Sequence, residues 1–121
     1  MIDAKFYRNK ETGAVVYGVA GNVETADLEL LQAGVTDAAA EKHVPFVTRE
    51  GNTVTVRVGE VAHPMLDEHY IEFIALVSEN GAQFAQLKPG QEPVATFTLE
   101  EGVEAEAYEY CNLHGLWKVS L

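Results

Sequence analysis

The sequence predicts an all-β protein, an antiparallel β-sandwich of about seven strands with a small β appendage at its N-terminus. Two observations lead to this expectation. From about residue 44 onward, alternating or apolar segments are separated by turn signals roughly every ten residues. Residues 1–36 are patterned differently and are too few to bury a core of their own. We therefore expect two parts, an N-terminal segment over 1–36 and a main domain over 37–121.

The N-terminal segment begins with two short strand-like runs. KFYR and AVVYGV predict a small hairpin around the turn NKETG. The following VETADLELLQAG has weak helical or irregular character. Such a segment must pack on the main domain or on a second subunit, because it cannot bury enough apolar surface alone.

Between the two parts, TDAAAEKHVP (36–45) predicts a short helical turn that starts at Thr36 or Asp37 and ends before Pro45. Strands follow, alternating where one face is buried and continuously apolar where both are. The predicted strands and their turns are TVTVRV (53–58), YIEFIALV (70–77), the turns ENG (79–81) and LKPGQEP (87–93), VATFTL (94–99) with Ala95, Phe97 and Leu99 inward, and EAEAYEY and LWKVSL around CNLHG.

Composition excludes several classes of function. The 121 residues carry 19 acidic and 8 basic side chains, a formal charge of −11, which argues against a nucleic-acid partner. No apolar run approaches the roughly 18 residues of a membrane span, and the start MIDAKFYRNK lacks the apolar core of a signal peptide. A single cysteine excludes an intrachain disulfide. We therefore expect a cytoplasmic protein.

One stretch is strongly acidic. LEEGVEAEAYEY (99–110) has five glutamates and no basic residue. The sequence predicts a solvated acidic face here rather than a docking surface.

The few metal-binding side chains occur at element ends or in loops. His43 follows the helical turn, His63 and His69 share the loop VAHPMLDEHY, and Cys111 and His114 share CNLHG. Each residue alone is most simply an ordinary histidine or cysteine. Together, however, they are placed where loops converge at one end of a sandwich, and the Cys111–His114 spacing lets a thiolate and an imidazole share a metal.

One thiolate and up to four imidazoles suit iron, copper or zinc, and exclude magnesium and calcium, which prefer oxygen ligands. Five candidate ligands are one too many for a closed tetrahedral zinc site. They suit a square pyramid with four imidazoles in a plane, the thiolate on the axis and the sixth position open. An open position on a redox metal is a reaction site.

Four motifs resemble those of the superoxide reductase family, which includes neelaredoxin and the iron domain of desulfoferrodoxin. The motifs are EKHVP (41–45), VGEVAHPMLDEHYIEFI (58–74), LKPG (87–90) and YCNLHGLWK (110–118). The resemblance implies an immunoglobulin-like sandwich with one non-haem iron ion, Fe²⁺ or Fe³⁺, per chain. The implied iron ligands are His43, His63, His69, Cys111 and His114.

The resemblance also implies an activity, the one-electron reduction of superoxide to hydrogen peroxide without release of dioxygen. Lys42 would then supply local positive charge and organise the water that provides a proton, with Lys118 and Lys88 as weaker candidates. Glu41 would be a sixth ligand of the ferric state. Asn112 and the backbone near Leu113 are expected to donate hydrogen bonds to the sulfur. CNLHG is also typical of a hairpin turn whose Asn112 and Gly115 suit its dihedrals, and the two explanations are compatible.

The N-terminal segment resembles the small desulforedoxin-like domain of desulfoferrodoxins, which holds a second iron with four cysteines. Here Asn9 and Thr12 occupy the first two cysteine positions, Gly13 is retained, and Val23 and Glu24 align with the final pair. The second iron should therefore be absent and the segment kept as a structural or dimer-forming remnant. A rubredoxin-like or other small electron donor and a homodimer are the expected partners.

Two other readings compete with this one. Blue-copper electron carriers are also β-sandwiches with a Cys and a His near the final hairpin, but they use two histidines and usually a methionine after the second. After His114 this chain reads GLWKVSL. The second rival is an interaction domain with a structural zinc.

Overall fold

The computed structural model describes residues 2–35 and 38–121, which form two compact units, Asp3–Gln32 and Ala33–Leu121. No helix among these residues is long and apolar enough to cross a bilayer. In chain order the described elements are β1 (Phe6–Asn9), β2 (Val15–Tyr17), β3 (Leu28–Leu30), α1 (Ala40–His43), β4 (Pro45–Glu50), β5 (Thr53–Val58), β6 (Ile71–Ser78), β7 (Gly81–Gln86), β8 (Val94–Thr98), β9 (Ala105–Cys111) and β10 (Gly115–Ser120).

The N-terminal unit is a three-stranded antiparallel sheet in the order β2-β1-β3. The predicted hairpin is confirmed, with Tyr7 opposite Val16. The prediction of weak helical or irregular character for VETADLELLQAG is wrong at β3, where Leu30 lies opposite Tyr7 on the other side of β1. The unpaired edge of β1 offers backbone hydrogen bonds to this segment, and such pairing outweighs a weak local propensity.

The larger unit is the predicted immunoglobulin-like sandwich of seven strands. One sheet has the order β10-β9-β6-β7 and the other the order β4-β5-β8, with every neighbouring pair antiparallel. Strand β4 contacts β9 and β10 of the facing sheet, and β8 contacts β6. Sheets of three and four strands packed in this way are typical of the immunoglobulin fold.

Strand periodicity predicts the core correctly on both sheets. Along β5, Val54, Val56 and Val58 are fully buried, as the strict alternation requires. Ala95 and Phe97 of β8 and the following Leu99 face the same core. In β6 four consecutive residues are buried, because that strand lies between β9 and β7 and is covered on both faces.

The acidic stretch before and within β9 corrects one prediction. Glu100, Glu101 and Glu104 are exposed, as expected of a solvated face, but Glu109 is completely buried. Alternation along β9 carries Glu109 to the face that holds Ala107 and Cys111, which belong to the core. The acidic composition of the stretch predicted that its glutamates face solvent. The alternation of side chains along the central strand β9 instead places Glu109 on the buried face.

The helical turn predicted before Pro45 is present as the short helix α1, which ends at His43. The predicted starting residues, Thr36 and Asp37, lie outside the described part of the chain. Pro45 opens β4 directly afterwards. This places His43 at the junction between a helix and the first sandwich strand.

Candidate metal centre

Helix α1 and the loop after β5 bring two of the predicted ligands together. The Val61 N–H donates to the Glu41 carbonyl at 3.0 Å, and the His63 N–H donates to the Val58 carbonyl at 2.9 Å. Gly59 allows this approach, because a Cβ there would lie 2.8 Å from the Val44 carbonyl oxygen and 2.9 Å from that of Glu41. The backbone of Gly59 therefore packs directly against the backbone of Glu41 and Val44, and the motif VGEVAH supports helix α1.

The other three predicted ligands come from the remainder of that loop and from the β9–β10 turn. His69 forms an isolated β-bridge with Leu66, through backbone bonds of 2.9 and 3.2 Å. Cys111 is the last residue of β9, and His114 immediately precedes β10 in the turn. Gly115 has φ of 77°, the left-handed conformation that closes this turn.

The structure gathers all five predicted ligand residues at one point. Each offers one donor atom, and these atoms all lie within 4.8 Å of one another. Within the part of the chain that the structure describes, this is the group of His, Cys, Asp and Glu side chains suited to a metal. Its members are His43, His63, His69, Cys111 and His114.

Two of the rings show why the cluster suits a cation. The Nδ1–H of His43 donates to the Ala39 carbonyl at 2.8 Å, and the Nδ1–H of His63 donates to the Pro64 carbonyl at 2.7 Å. In each neutral ring the Nε2 atom therefore carries a lone pair. These two Nε2 atoms face each other at 3.1 Å with no proton to share between them. A metal ion bound by both nitrogens relieves this opposition of lone pairs.

The spacing of the donors fits a first-row metal ion. The Nδ1 atom of His114 lies 3.1 Å from Nε2 of His43, the same separation as between His43 and His63. Donors 3.1 Å apart at adjacent corners of a square lie about 2.2 Å from its centre, close to ordinary metal–imidazole bond lengths. The sulfur of Cys111 lies 3.8 Å from the His114 Nδ1 atom. The donor set and its spacing therefore fit the predicted iron.

Burial favours the neutral form of three of the imidazoles. It lowers the pKa of His63 to about 4, and it lowers the pKa values of His43 and His69 as well. Neighbouring imidazoles and Lys42 lower the pKa of His43 further by charge repulsion. Because a metal binds the neutral ring, these shifts favour metal binding at neutral pH.

The thiol of Cys111 is subject to opposing effects. Burial raises its pKa, whereas hydrogen bonds from the backbone of Leu113 and His114 lower it. A coordinating metal deprotonates a thiol outright. The backbone near Leu113 is thus close enough to act on the sulfur, in agreement with its expected role.

The side chain of Asn112 does not reach the sulfur, contrary to the prediction. It bonds instead to the backbone of Glu68 and Tyr70, on either side of His69. The alternative view, that Asn112 was chosen for its dihedrals, also fails, because every positive φ among the described residues belongs to glycine. The explanation by dihedrals does hold for Gly115, whose φ is 77°.

Two aromatic side chains lie close to Cys111 and His114 in sequence, and one of them, Trp117, packs against the cluster. Trp117 stacks on the His43 ring with centroids 5.2 Å apart, and its Nε1–H donates to the His114 carbonyl at 3.0 Å. Tyr110 is buried and stacks against Phe73. Both are core aromatics.

The two predicted catalytic residues lie next to the cluster on α1. Glu41 and Lys42 are exposed, and the carboxylate of Glu41 is not among the converging donors. Lys42 is close enough to lower the pKa values of both His43 and His69. Of the weaker candidates, Lys118 is paired with Glu106 at 3.2 Å, and Lys88 is exposed.

Sequence reasoning missed the residues that support the donors. The carbonyls of Ala39 and Pro64 orient two rings, and backbone carbonyls carry no sequence signal. Gly59 lies within the motif VGEVAHPMLDEHYIEFI, and the close backbone approach that requires a glycine there is visible only in the folded chain. The partners of Asn112 are about forty residues away in sequence, beyond any local pattern.

A seven-stranded sandwich that converges four imidazoles and one thiolate on a single point defines a mononuclear non-haem metalloprotein. The family model described as desulfoferrodoxin matches residues 35–120. A desulfoferrodoxin homologue from Archaeoglobus fulgidus is 50% identical, over 75% of this chain and 72% of the relative. The desulfoferrodoxin of Clostridium acetobutylicum is 40% identical, over 98% of each chain. The chain belongs to the desulfoferrodoxin family.

Solved structures agree with this assignment. The superoxide reductase from Treponema pallidum matches with a TM-score of 0.79 and 36% identity, over 97% of this chain and 98% of that one. A one-iron superoxide reductase from Giardia intestinalis matches with a TM-score of 0.59 and 38% identity, over 67% of this chain and 97% of the other. The first match spans both units of the present chain.

The cupredoxin-like alternative is not favoured. A blue-copper site uses two histidines, whereas all four histidines of this chain converge with the cysteine. Five converging donors also exceed the four of a structural zinc site.

Proposed function

We propose that this chain is a superoxide reductase. It reduces superoxide to hydrogen peroxide, consuming one external electron and two protons and releasing no dioxygen. The reaction takes place at one non-haem iron ion per chain, held by the five converging side chains. The observation that carries this proposal is the convergence itself, with two imidazole lone pairs facing each other at 3.1 Å.

When bound, the iron supplies a one-electron couple between its ferrous and ferric states and a position for the substrate. His43 and His63 present preoriented lone pairs, because their other nitrogens are fixed by backbone carbonyls. The Cys111 thiolate adds negative charge, which backbone N–H groups at the turn moderate. Protein groups thereby fix the electronic character of the site before substrate arrives.

Lys42 is proposed to attract superoxide and to hold the water that provides a proton. The chain as a whole repels an anion, but at physiological salt charges beyond about 8 Å are largely screened, so local charge dominates. The influence of Lys42 on the pKa values of His43 and His69 supports this role. Glu41 is proposed as a sixth ligand of the ferric state only.

The N-terminal unit is proposed to be a desulforedoxin-like remnant, with a boundary near residue 36. No histidine or cysteine occurs in residues 1–35. Asn9, at a position where the resemblance places a cysteine, accepts the N–H groups of Glu11 and Thr12 and so closes the turn with its own side chain. The unit would serve structure or dimer formation in a homodimer.

Electrons must then reach the iron from outside the chain. We propose a rubredoxin-like or other small electron-transfer protein as the donor. The composition, with one thiol and no disulfide possible within the chain, supports a reducing, cytoplasmic location.

The proposal is tested by product stoichiometry. Iron-loaded protein is reduced anaerobically and mixed with a limiting dose of superoxide, and peroxide and dioxygen are both measured. A reductase yields one peroxide per superoxide and no dioxygen. Evolution of dioxygen in equal amount to peroxide would indicate dismutation, and would contradict the proposal. Cys111→Ser, loaded with iron to the same occupancy, is the matched control and should react far more slowly.

A further inference from the structure

Asn112 connects the two loops that carry four of the five donors. Its Oδ1 atom accepts the N–H of Tyr70 at 3.0 Å, and its Nδ2 atom donates to the Glu68 carbonyl at 3.0 Å. Its backbone N–H donates to the Tyr70 carbonyl at 3.2 Å. Three bonds thus attach Asn112 to the residues immediately before and after His69.

The ring of His69 lacks the support that other donors have. His43 and His63 each fix their ring through an Nδ1–H bond to a backbone carbonyl. Within residues 2–35 and 38–121 the structure gives the His69 ring no hydrogen bond, and its buried Nε2 atom has no partner. Its own backbone bonds to Leu66 are local, so they shape the loop without joining it to the rest of the centre.

We infer that Asn112 is the positioning residue for His69, an inference that rests on the proposed metal centre. The amide fixes the backbone on both sides of the histidine and ties it to the turn that carries Cys111 and His114. The bonds thereby set the distance between His69 and two other donors. Asn112 thus orients the metal ligand His69 through the main chain on either side of it, and not through a hydrogen bond to the imidazole ring.

The geometry requires an amide. One end of the side chain accepts from an N–H and the other donates to a carbonyl, a pair of roles that Asp cannot fill because its carboxylate would face the Glu68 oxygen. A turn preference does not explain the residue, since Asn112 has no positive φ. Two side-chain bonds across 42 and 44 residues of sequence are a long-range contact, not a feature of the turn.

The test is a double-mutant cycle on cobalt binding, with Co²⁺ as a spectroscopic probe in the full-length apoprotein. The dissociation constant is measured by chelator competition for Asn112→Ala, His69→Ala and the double variant. Asn112→Ala should weaken Co²⁺ binding about 10–100-fold in the wild-type background. In the His69→Ala background its effect should be less than about 2-fold, because a positioning residue acts only through the group it positions.

Two further variants sharpen the cycle. Asn112→Asp keeps the acceptor for the Tyr70 N–H but sets a carboxylate oxygen against the Glu68 carbonyl, so it too should bind Co²⁺ more weakly than wild type, and it replaces the alanine variant if that fails to fold. Asn80→Ala, an exposed asparagine in the β6–β7 turn, should bind like wild type. The thiolate-to-cobalt absorption band reports whether Cys111 still binds.

An equal loss of affinity in both backgrounds, or no loss in either, would overturn the role of Asn112. If wild type fails to bind Co²⁺, or if His69→Ala binds it as tightly as wild type, the metal centre itself is wrong and the inference falls with it. The two failures are therefore distinguishable from one data set.

Discussion

Replacing Glu109 by methionine should stabilise the apoprotein. The side chain is completely buried on the core face of β9, and within the described part of the chain neither carboxyl oxygen has a hydrogen-bond partner. Burial raises the pKa of this carboxyl well above its usual range, so the folded chain holds its proton to a higher pH than an exposed glutamate does. An unsatisfied buried polar group costs about 1–3 kcal/mol, and methionine fills a similar volume without it. We expect the free energy of unfolding to rise by about that amount.

Two properties of Glu109 lower the stability of the folded chain, its missing hydrogen bonds and its raised pKa. The pH dependence of the free energy of unfolding distinguishes them. An unfolded glutamate ionises above about pH 4.3, while the folded one keeps its proton until its raised pKa is reached. Between these two pKa values the unfolded state binds fewer protons, so stability falls as pH rises. Glu109→Gln keeps a buried polar group but removes this decline, so it should resemble wild type near pH 5 and exceed it near pH 7.5.

The assay is urea unfolding of the apoproteins at both pH values, followed by fluorescence of Trp117, the single tryptophan. With a urea dependence of about 1–3 kcal/mol/M, the midpoint for Glu109→Met should rise by about 1 M. Glu104→Gln, an exposed position in the same acidic stretch, is the control and should change neither midpoint. Lower stability of Glu109→Met at both pH values would refute the reasoning, since the carboxyl would then have compensating bonds.

Three further predictions follow from the site. Gly59→Ala should destabilise the fold by about 1–3 kcal/mol, because its Cβ meets backbone oxygens 2.8 and 2.9 Å away; a thermal melt equal to wild type would contradict the close approach. Folding lowers the pKa of His63 from 6.5 to about 4. Between these two pH values the unfolded state therefore binds more protons than the folded state. The free energy of unfolding of the apoprotein should then fall by up to about 3 kcal/mol as the pH drops from 6.5 to 4. His63→Ala should flatten this slope in urea titrations, and an unchanged slope would exclude His63 as its source. Lys42→Ala should slow superoxide capture about 10-fold at low salt in pulse radiolysis, with Lys10→Ala, an exposed lysine of the N-terminal unit, as control, whereas Glu41→Ala should alter chiefly the ferric spectrum; an unchanged rate for Lys42→Ala would remove its proposed role.

Strand periodicity was sufficient to predict most of the fold. The alternation of Val54, Val56 and Val58 predicted both the strand and its buried face, because a half-covered strand imposes a period of two. Strand β3 was missed because its three residues pair only in the presence of the β1 edge. Glu109 was missed for a related reason, since local composition does not reveal that β9 is central and covered on both faces.

The donors of the metal centre were easier to predict than their supports. Histidine and cysteine are rare in this chain, and their positions at element ends indicated a shared site, although residue types alone left iron, copper and zinc open. The supports are backbone carbonyls, the bare backbone of Gly59 and the long-range bonds of Asn112. These depend on which loops meet in the folded chain, which is tertiary information.

The most direct test of the account is X-ray absorption at the iron edge of the reduced, iron-loaded protein. We expect a shell of four nitrogen scatterers and one sulfur, with the sulfur contribution lost in Cys111→Ser. A shell of oxygen and nitrogen without sulfur, or six protein ligands that close the metal to substrate, would contradict it.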